Sequence, residues 1–378
     1  MSDEAPAIAS LRVDDLGLDP RTAFARLRTY TPGRAAFLLE SLAPAAEGGR
    51  YSIVGYRVRS GEVLPPGVDA FAVQAQTFES RPEPESLAAA LAEGVVGFVS
   101  SSVASVWSRV RLFDDEGPSG VFVAGATVVL FDHQERTVTI AGPAKGRVVE
   151  RCLWEMQHGP DPAPLAPVAP GVLPGTVHAD VGDEKLQARA ARAKAFVSEL
   201  DALSLARTFT SPRAGADAFD VYRALAESAA DAASPHGYYI DFGESPVQAR
   251  LEIFGVAGTA LHRRLPGDAP RSLTEGLRAA LPSRDLVGAP ATEALRLLRQ
   301  LEEASRQAWG GGVGFVAPGG TASFVLGDEI ITAQHGSFWC TAGARLDAST
   351  DPLSVADETR RAVARRLAAI ARAQGAGA

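Results

Sequence analysis

The side chains best suited to acid–base chemistry lie in the second half of this 378-residue chain. His236, His262 and His335 stand at or beside stretches that read as strands, and Glu252, Asp268, Asp285 and Glu358 are acids of the same half. A histidine paired with a carboxylate moves protons near neutral pH if the fold brings the two within hydrogen-bond reach. The candidate catalytic set is therefore His262, Asp268, Asp285, His335 and Glu358. Glu252, Arg264 and Arg345, with Trp309 and Trp339 as aromatic walls, form the candidate substrate-binding set. Each has an ordinary use as well. A lone histidine is more often a core or surface residue than a catalyst, Asp268 and Asp285 suit turns, and Glu358 complements the dipole at the start of the last helix.

No standard mechanistic motif accompanies these residues. The chain lacks a P-loop, a dinucleotide fingerprint, a His-Glu-x-x-His helix and a Gly-x-Ser-x-Gly elbow. The glycine run at Gly310–Gly314 follows a helix, whereas a phosphate loop precedes one. No cofactor and no metal ligand set is expected. A net charge of −8, with no basic block, argues against nucleic acid or a membrane surface as partner. Cys152 and Cys340 are too few for a disulfide framework and read as buried thiols in a reducing compartment. The start of the chain has no apolar run of signal-peptide kind, so a cytoplasmic protein is expected.

The elements that must position these groups form a mixed pattern. "HGPDPAPLAPVAPGVLPGTVH", from His158, is dense in Pro and Gly and divides the chain into residues 1–157, a linker at 158–178 and residues 179–378. Before it lie short apolar runs that read as strands, among them "AAFLLES", "RYSIVGYRVR" and "VFVAGATVVLFDH". After it, "DEKLQARAARAKAFVSELDAL" reads as one helix, and "DAFDVYRALAESAADAA" as another capped by Asp217 or Asp220. Strands follow in "GYYIDFG", "ARLEIFGVAG" and "TALHRRL". The clearest amphipathic helix is "ATEALRLLRQLEEASRQAW", with Leu295, Leu298 and Leu301 at spacings of three. Further strands lead to a closing helix, "VADETRRAVARRLAAIARAQ".

In this order the segments resemble those of the chorismate-utilising enzymes, such as the first components of anthranilate synthase and aminodeoxychorismate synthase. Leu38, Leu39, Glu40 and Ser41, then Gly49, Arg50, Tyr51, Ser52 and Gly55, resemble the family's N-terminal signature, and "VVLFDH", ending at His133, its Phe-Asp-His strand end. Pro235 keeps the proline of the Pro-Ser-Pro-Tyr motif, with His236 where tyrosine is usual. Glu252 keeps the glutamate of the Ala-Ser-Pro-Glu strand. "RRLPGDAPR" is similar to the family's threonine-glycine turn, with Arg264 and Gly267 kept and Asp268 in place of threonine. "LRAALPSRDLVGAP" is similar to its Gly-Ala-Pro segment, with Asp285 replacing threonine and Ala291 the lysine.

The resemblance implies an α+β fold of two lobes, antiparallel sheets packed face to face with helices outside, and a truncated second lobe. In the active enzymes many tens of residues separate the two turns and carry a Mg²⁺-binding glutamate and a histidine. Here only "SLTEGL" joins them, an internal deletion near 272–276. The family's last block offers two glutamates, whose positions fall on Val355 and Glu358, and its substrate-binding arginine falls on Ile331. The family chemistry is therefore expected to be lost. Two readings remain open. One is a repurposed enzyme of specialised metabolism, acting without metal on a small carboxylated or cyclic substrate. The other is a non-catalytic binder or scaffold, with a possible protein partner, using the N-terminal pocket that family members use for tryptophan. That pocket falls on Leu39, Glu40, Ser41, Pro235 and His236. The binder requires an intact N-terminal pocket beside a collapsed cleft, the enzyme an open cleft with converging polar groups.

Overall fold

The computed structural model describes residues 7–43, 49–110, 117–143, 147–167, 171–197, 200–229, 235–244, 250–268, 272–304, 306 and 308–375. Two antiparallel sheets organise it. The larger, of 12 strands, runs in space from Ala7–Arg12 through Thr137–Gly142, Thr127–Asp132, Tyr51–Tyr56 and Ala36–Ser41 to His236–Asp241. It continues through Glu252–Ala257, Glu329–Gln334, Ser337–Leu346 and Ala202–Pro212 to the two-residue Gly288–Ala289. The short strand His178–Ala179 pairs with the other end of Ala202–Pro212. The smaller sheet has 6 strands, in the order Ala260–Arg264, Thr321–Leu326, Gly312–Ala317, Val95–Val99, Gly120–Ala124 and Ser60–Leu64. Strands from both sides of the proline-rich segment meet in each sheet, at Ala36–Ser41 with His236–Asp241 and at Val95–Val99 with Gly312–Ala317.

The central strands are buried on both faces, which is why they read as continuous apolar runs rather than alternating ones. Phe37, Ile53, Phe98, Val128, Ile253 and Phe315 fill the space between the sheets. Leu38, Val54, Val129, Phe254 and Ile331 face the opposite way, against helices Pro20–Thr29, Ala218–Ala229 and Val355–Ala373. Each such side chain contributes about 1.5–3 kcal/mol by leaving water. Helices Ala70–Phe78 and Leu273–Ala280 cover the outer face of the small sheet. The layers are thus helix, sheet, sheet, helix, the α+β arrangement expected. Gly55 is required by this packing, because a Cβ there would fall 2.1 Å from the Phe37 ring.

Two elements differ from the sequence expectation. The helix that begins at Asp183 stops at Lys194, and Ala202–Pro212 is an 11-residue strand rather than a helix end. That strand pairs along its length, from Leu203 to Pro212, with Ser337–Leu346, and this long-range ladder outweighs local helix propensity. The helix that begins at Ala291 ends at Leu301, where the chain turns to seat Glu302 and Arg306 against the sheet. Asp217 is the cap of helix Ala218–Ala229, its carboxylate accepting the Phe219 N–H at 2.9 Å. The proline-rich segment is tied down by arginines of three helices. Arg26 bonds Asp161, Arg223 the Ala163 carbonyl, and Arg372 the Ala166 carbonyl. Among the described residues no helix is long and apolar enough to cross a membrane.

Candidate functional site

Strand Ala36–Ser41 sends alternate side chains to opposite faces. Ala36 and Leu38 join the helix-side core, and Phe37 and Leu39 the inter-sheet core. Glu40 shares the parity of Leu38, so its carboxylate leaves the inter-sheet space. It accepts from Arg21 at 2.7 Å and from the Tyr222 hydroxyl, both on outer helices. Burial, the largest influence, pushes this carboxyl above its ordinary range against the pull of Arg21 and Tyr222. Leu39 lies opposite Tyr238 and Ser41 opposite His236 in the register, so these four share the inner face. The Ser41 N–H donates to Ser52 Oγ at 3.0 Å, and Ser52 Oγ lies 2.8 Å from His133 Nε2. Pro235 lends its carbonyl to the Leu42 N–H.

Between the sheets, at this place, a cavity of about 330 Å³ opens. Leu39, Ile53, Leu87, Val313, Phe315 and Val325 make its apolar walls, and Tyr51, His236, Arg263 and Ser323 bring polar groups to it. Arg263 sits on the edge strand of the small sheet with the parity of Leu265, which packs into the inter-sheet core. Burial, and then the Arg263 charge, hold the His236 imidazole below its ordinary pKa, so it stays neutral at pH 7. Thus Leu39 and His236 are brought together in one pocket. Sequence reasoning missed Arg263, Tyr51, Ile53 and Phe315; counting back by two from the apolar Leu265 would have put Arg263 on the inner face.

The remaining candidates do not gather. His262 is buried on the outer face of its strand, facing the close-packed Gly276. Asp268 closes its own turn, its carboxylate accepting the Leu265 N–H at 2.8 Å. Asp285, 87% exposed, faces Arg345 at 3.7 Å. His335 is an exposed hairpin residue with φ of 50°. Glu358 accepts from the Ser354 hydroxyl at 2.9 Å at the helix start. Glu252 is 0% exposed and bonded to Tyr239 Oη at 2.5 Å and Arg213 at 2.7 Å. Arg264 donates to the Gly319 carbonyl. Trp309 is buried, with its indole N–H on the Asp328 carbonyl at 2.8 Å, while Trp339 is 38% exposed.

The surface under the last helix is closed. Ile331 is fully buried beside Phe338, Cys340 and Val363, and Val355 beside Leu203, Leu346 and Leu186. Arg366 is buried there as well, its guanidinium donating to the carbonyls of Thr341 at 2.6 Å, Ile330 at 3.3 Å and Ala362 at 3.1 Å. A divalent cation such as magnesium needs converging hard oxygen ligands. Of the two positions at the start of this helix, Val355 supplies none and Glu358 is held by Ser354. The residues present do not fit that ion.

Residues 264–366 match the sequence family described as chorismate binding enzyme. Anthranilate synthase component 1 of Streptomyces coelicolor is 26% identical over 462 residues, which takes in 96% of this chain and 88% of that protein. Because that span exceeds the 378 residues of this chain, the relative carries many tens of residues without counterpart here. Aminodeoxychorismate synthase component 1 of Salmonella typhimurium is 32% identical over 86 residues, 23% of this chain and 19% of that protein. In fold, the crystal structure of anthranilate synthase component I from Streptococcus pneumoniae superposes with a TM-score of 0.69 at 16% identity, covering 84% of this chain and 92% of that one.

Proposed function

Because the chain belongs to the family of chorismate-utilising enzymes, we propose that it is a small-molecule-binding member which has given up the family's magnesium-dependent reaction on chorismate. The observation that carries this reading is the burial of Ile331 and Val355 in apolar core, while a separate cavity between the sheets stays open. A charged substrate beneath the last helix would meet valine and isoleucine where the family places charge, and burying an uncompensated charge costs several kcal/mol or more. The inter-sheet cavity, by contrast, combines apolar walls with a few polar groups, the usual composition of a ligand pocket. The protein then acts by binding, with the pocket at Leu39 and His236 as its working part. A metal-free enzyme built on His262, Asp268, Asp285, His335 and Glu358 draws less support, since Asp268, Asp285 and Glu358 are held in separate local contacts.

The test is calorimetric titration of the full chain with chorismate, with and without Mg²⁺, followed by mass spectrometry of the mixture. The expected result is no magnesium-dependent binding and no product. A magnesium-dependent heat with a new product mass would overturn the proposal.

A further inference from the structure

A second pocket lies on the helix-covered face of the large sheet. In the register Ala36 stands opposite Asp241, at the far end of the strand pair from Ser41 and His236. There the end of helix Pro20–Thr29, the loop after it, the proline-rich segment and the start of helix Ala218–Ala229 surround a pocket of about 360 Å³. Arg28, Arg34 and Arg250 line it. Two of these arginines hold carboxylates whose accepting capacity is nearly spent. Asp217 accepts the Phe219 N–H at 2.9 Å and takes Arg28 Nη2 on both oxygens, at 3.1 and 2.8 Å. Asp241 accepts the Gly243 N–H at 2.9 Å and bonds to Nε and Nη2 of Arg250. The guanidiniums are less used, since each carries five N–H donors. Among the described residues Arg28 Nε and Nη1 and Arg250 Nη1 donate to no partner, and the exposed Arg34 has no side-chain hydrogen bond and no ion pair. The two paired arginines are neighbours. Arg28 lies 5.9 Å from the Tyr239 ring, and Asp241, which holds Arg250, follows on the same face of that strand. At the rim Asp161 and Asp220 are matched by Arg26 and Arg223, at 2.7 and 2.9 Å. Each lining aspartate thus has its own arginine, and the charge of Arg34 is left over. Glu244 stands beside Gly33, outside the pocket, and makes no ion pair with Arg34.

We propose that this pocket is a second ligand site, independent of the cavity between the sheets, and that it takes a small organic anion through a carboxylate or phosphate group. The oxyanion sits between Arg28 and Arg250 and accepts the N–H groups that their aspartates leave open, while Arg34 adds positive charge at the rim. Charge-assisted hydrogen bonds of this kind are roughly twice as strong as neutral ones. The aspartates do not repel the anion as free acids do, because each shares its charge with an arginine. A cation finds little to bind, since the oxygens of Asp217 and Asp241 are already occupied. Pro32, Pro160 and Pro162 supply apolar surface for a short hydrocarbon body. The walls come from both sides of the proline-rich segment and from the segment itself, so an occupant ties the three together.

Butyl phosphate, pentanoate and pentanamide are similar in length and differ in charge, so calorimetric titration of the full chain with each tests the site. The two anions are expected to bind at least about tenfold tighter than the amide. The tighter of the two identifies the oxyanion. Arg34→Gln, an exposed change, should weaken the anions about fivefold, and Arg34→Glu more. Arg28→Lys keeps a charge facing Asp217 but removes the planar fork, and should weaken them about tenfold while circular dichroism shows the fold intact. Arg263→Gln, in the cavity between the sheets, should leave the affinities unchanged. Equal binding of the amide, binding of none of the three, or anion binding that responds to Arg263→Gln and ignores the changes at Arg34 and Arg28 overturns the inference.

Discussion

The Glu302 carboxylate and the Arg306 guanidinium lie 2.5 Å apart, both buried, and together they finish an open edge of the large sheet. Among the described residues, strand Ala202–Pro212 is paired on that side by Gly288–Ala289 at its start and by His178–Ala179 at Phe209 and Thr210. Between them Glu302 accepts the Ala206 N–H at 2.8 Å and Arg306 donates to the Ser204 carbonyl at 2.6 Å. The pair thus does the work of a missing strand, since buried backbone groups need partners. Removing one member strands the other charge. Glu302→Ala and Arg306→Ala should each lose about 3–5 kcal/mol. Denaturant unfolding measures this, and a loss below about 1 kcal/mol, the size of a surface pair, would contradict the role given to the pair.

Both cysteines should be silent in the native state. Cys152 and Cys340 are fully buried, and burial pushes each thiol up to about 12, so almost no thiolate is present at pH 7. A thiol reagent such as DTNB is expected to label neither until denaturant is added, and then both. Rapid labelling of the folded protein would show that these segments open or that the packing around them is wrong.

The fold was largely legible because its strands are short, apolar and β-branched and because the order of segments resembles one family. What escaped was decided at long range. Residues 195–203 look helical locally, yet a strand begins at Ala202 because Ser337–Leu346 offers a partner. Helices Pro20–Thr29 and Ala70–Phe78 went unread among the strand signals, although Asp19 and Asp69 cap them. At the site, histidines and acids drew notice by type, but type does not tell direction. Glu40 points away from the pocket its motif borders, and Glu252 is consumed by Arg213 and Tyr239. Arg263 carries the pocket's charge and looked like one of many arginines.

An acid placed at Val355, where the resemblance puts one of the family's two glutamates, should harm the protein. Val355 has no exposed surface and packs among Leu186, Leu203 and Leu346. Val355→Glu puts a carboxylate there with no designed partner, so stability should fall by at least about 2 kcal/mol. Added Mg²⁺ should not recover it, because position 355 is enclosed by apolar side chains and Glu358 is held by Ser354, which leaves no room for the two carboxylates to converge with the waters the ion keeps. Thermal unfolding of the variant with and without Mg²⁺ gives the answer. A magnesium-dependent rise in Tm would mean that the surface under the last helix can open into a cation site.

Stability should depend on the protonation of His236. In the unfolded chain it titrates near 6.5. In the folded chain burial first, and Arg263 second, hold it lower. The unfolded state therefore binds the proton more readily, and the folded state loses stability as pH falls below about 6.5, down to the lowered folded value. Burial also lowers His133, against the opposing pull of Asp132, so the two histidines act in the same direction. Tm measured between about pH 7.5 and 5.5 should drop on acidification, and His236→Gln should shallow the slope, with His133→Gln removing a separate part. A slope indifferent to His236→Gln would mean that this imidazole does not share the low-dielectric space between the sheets.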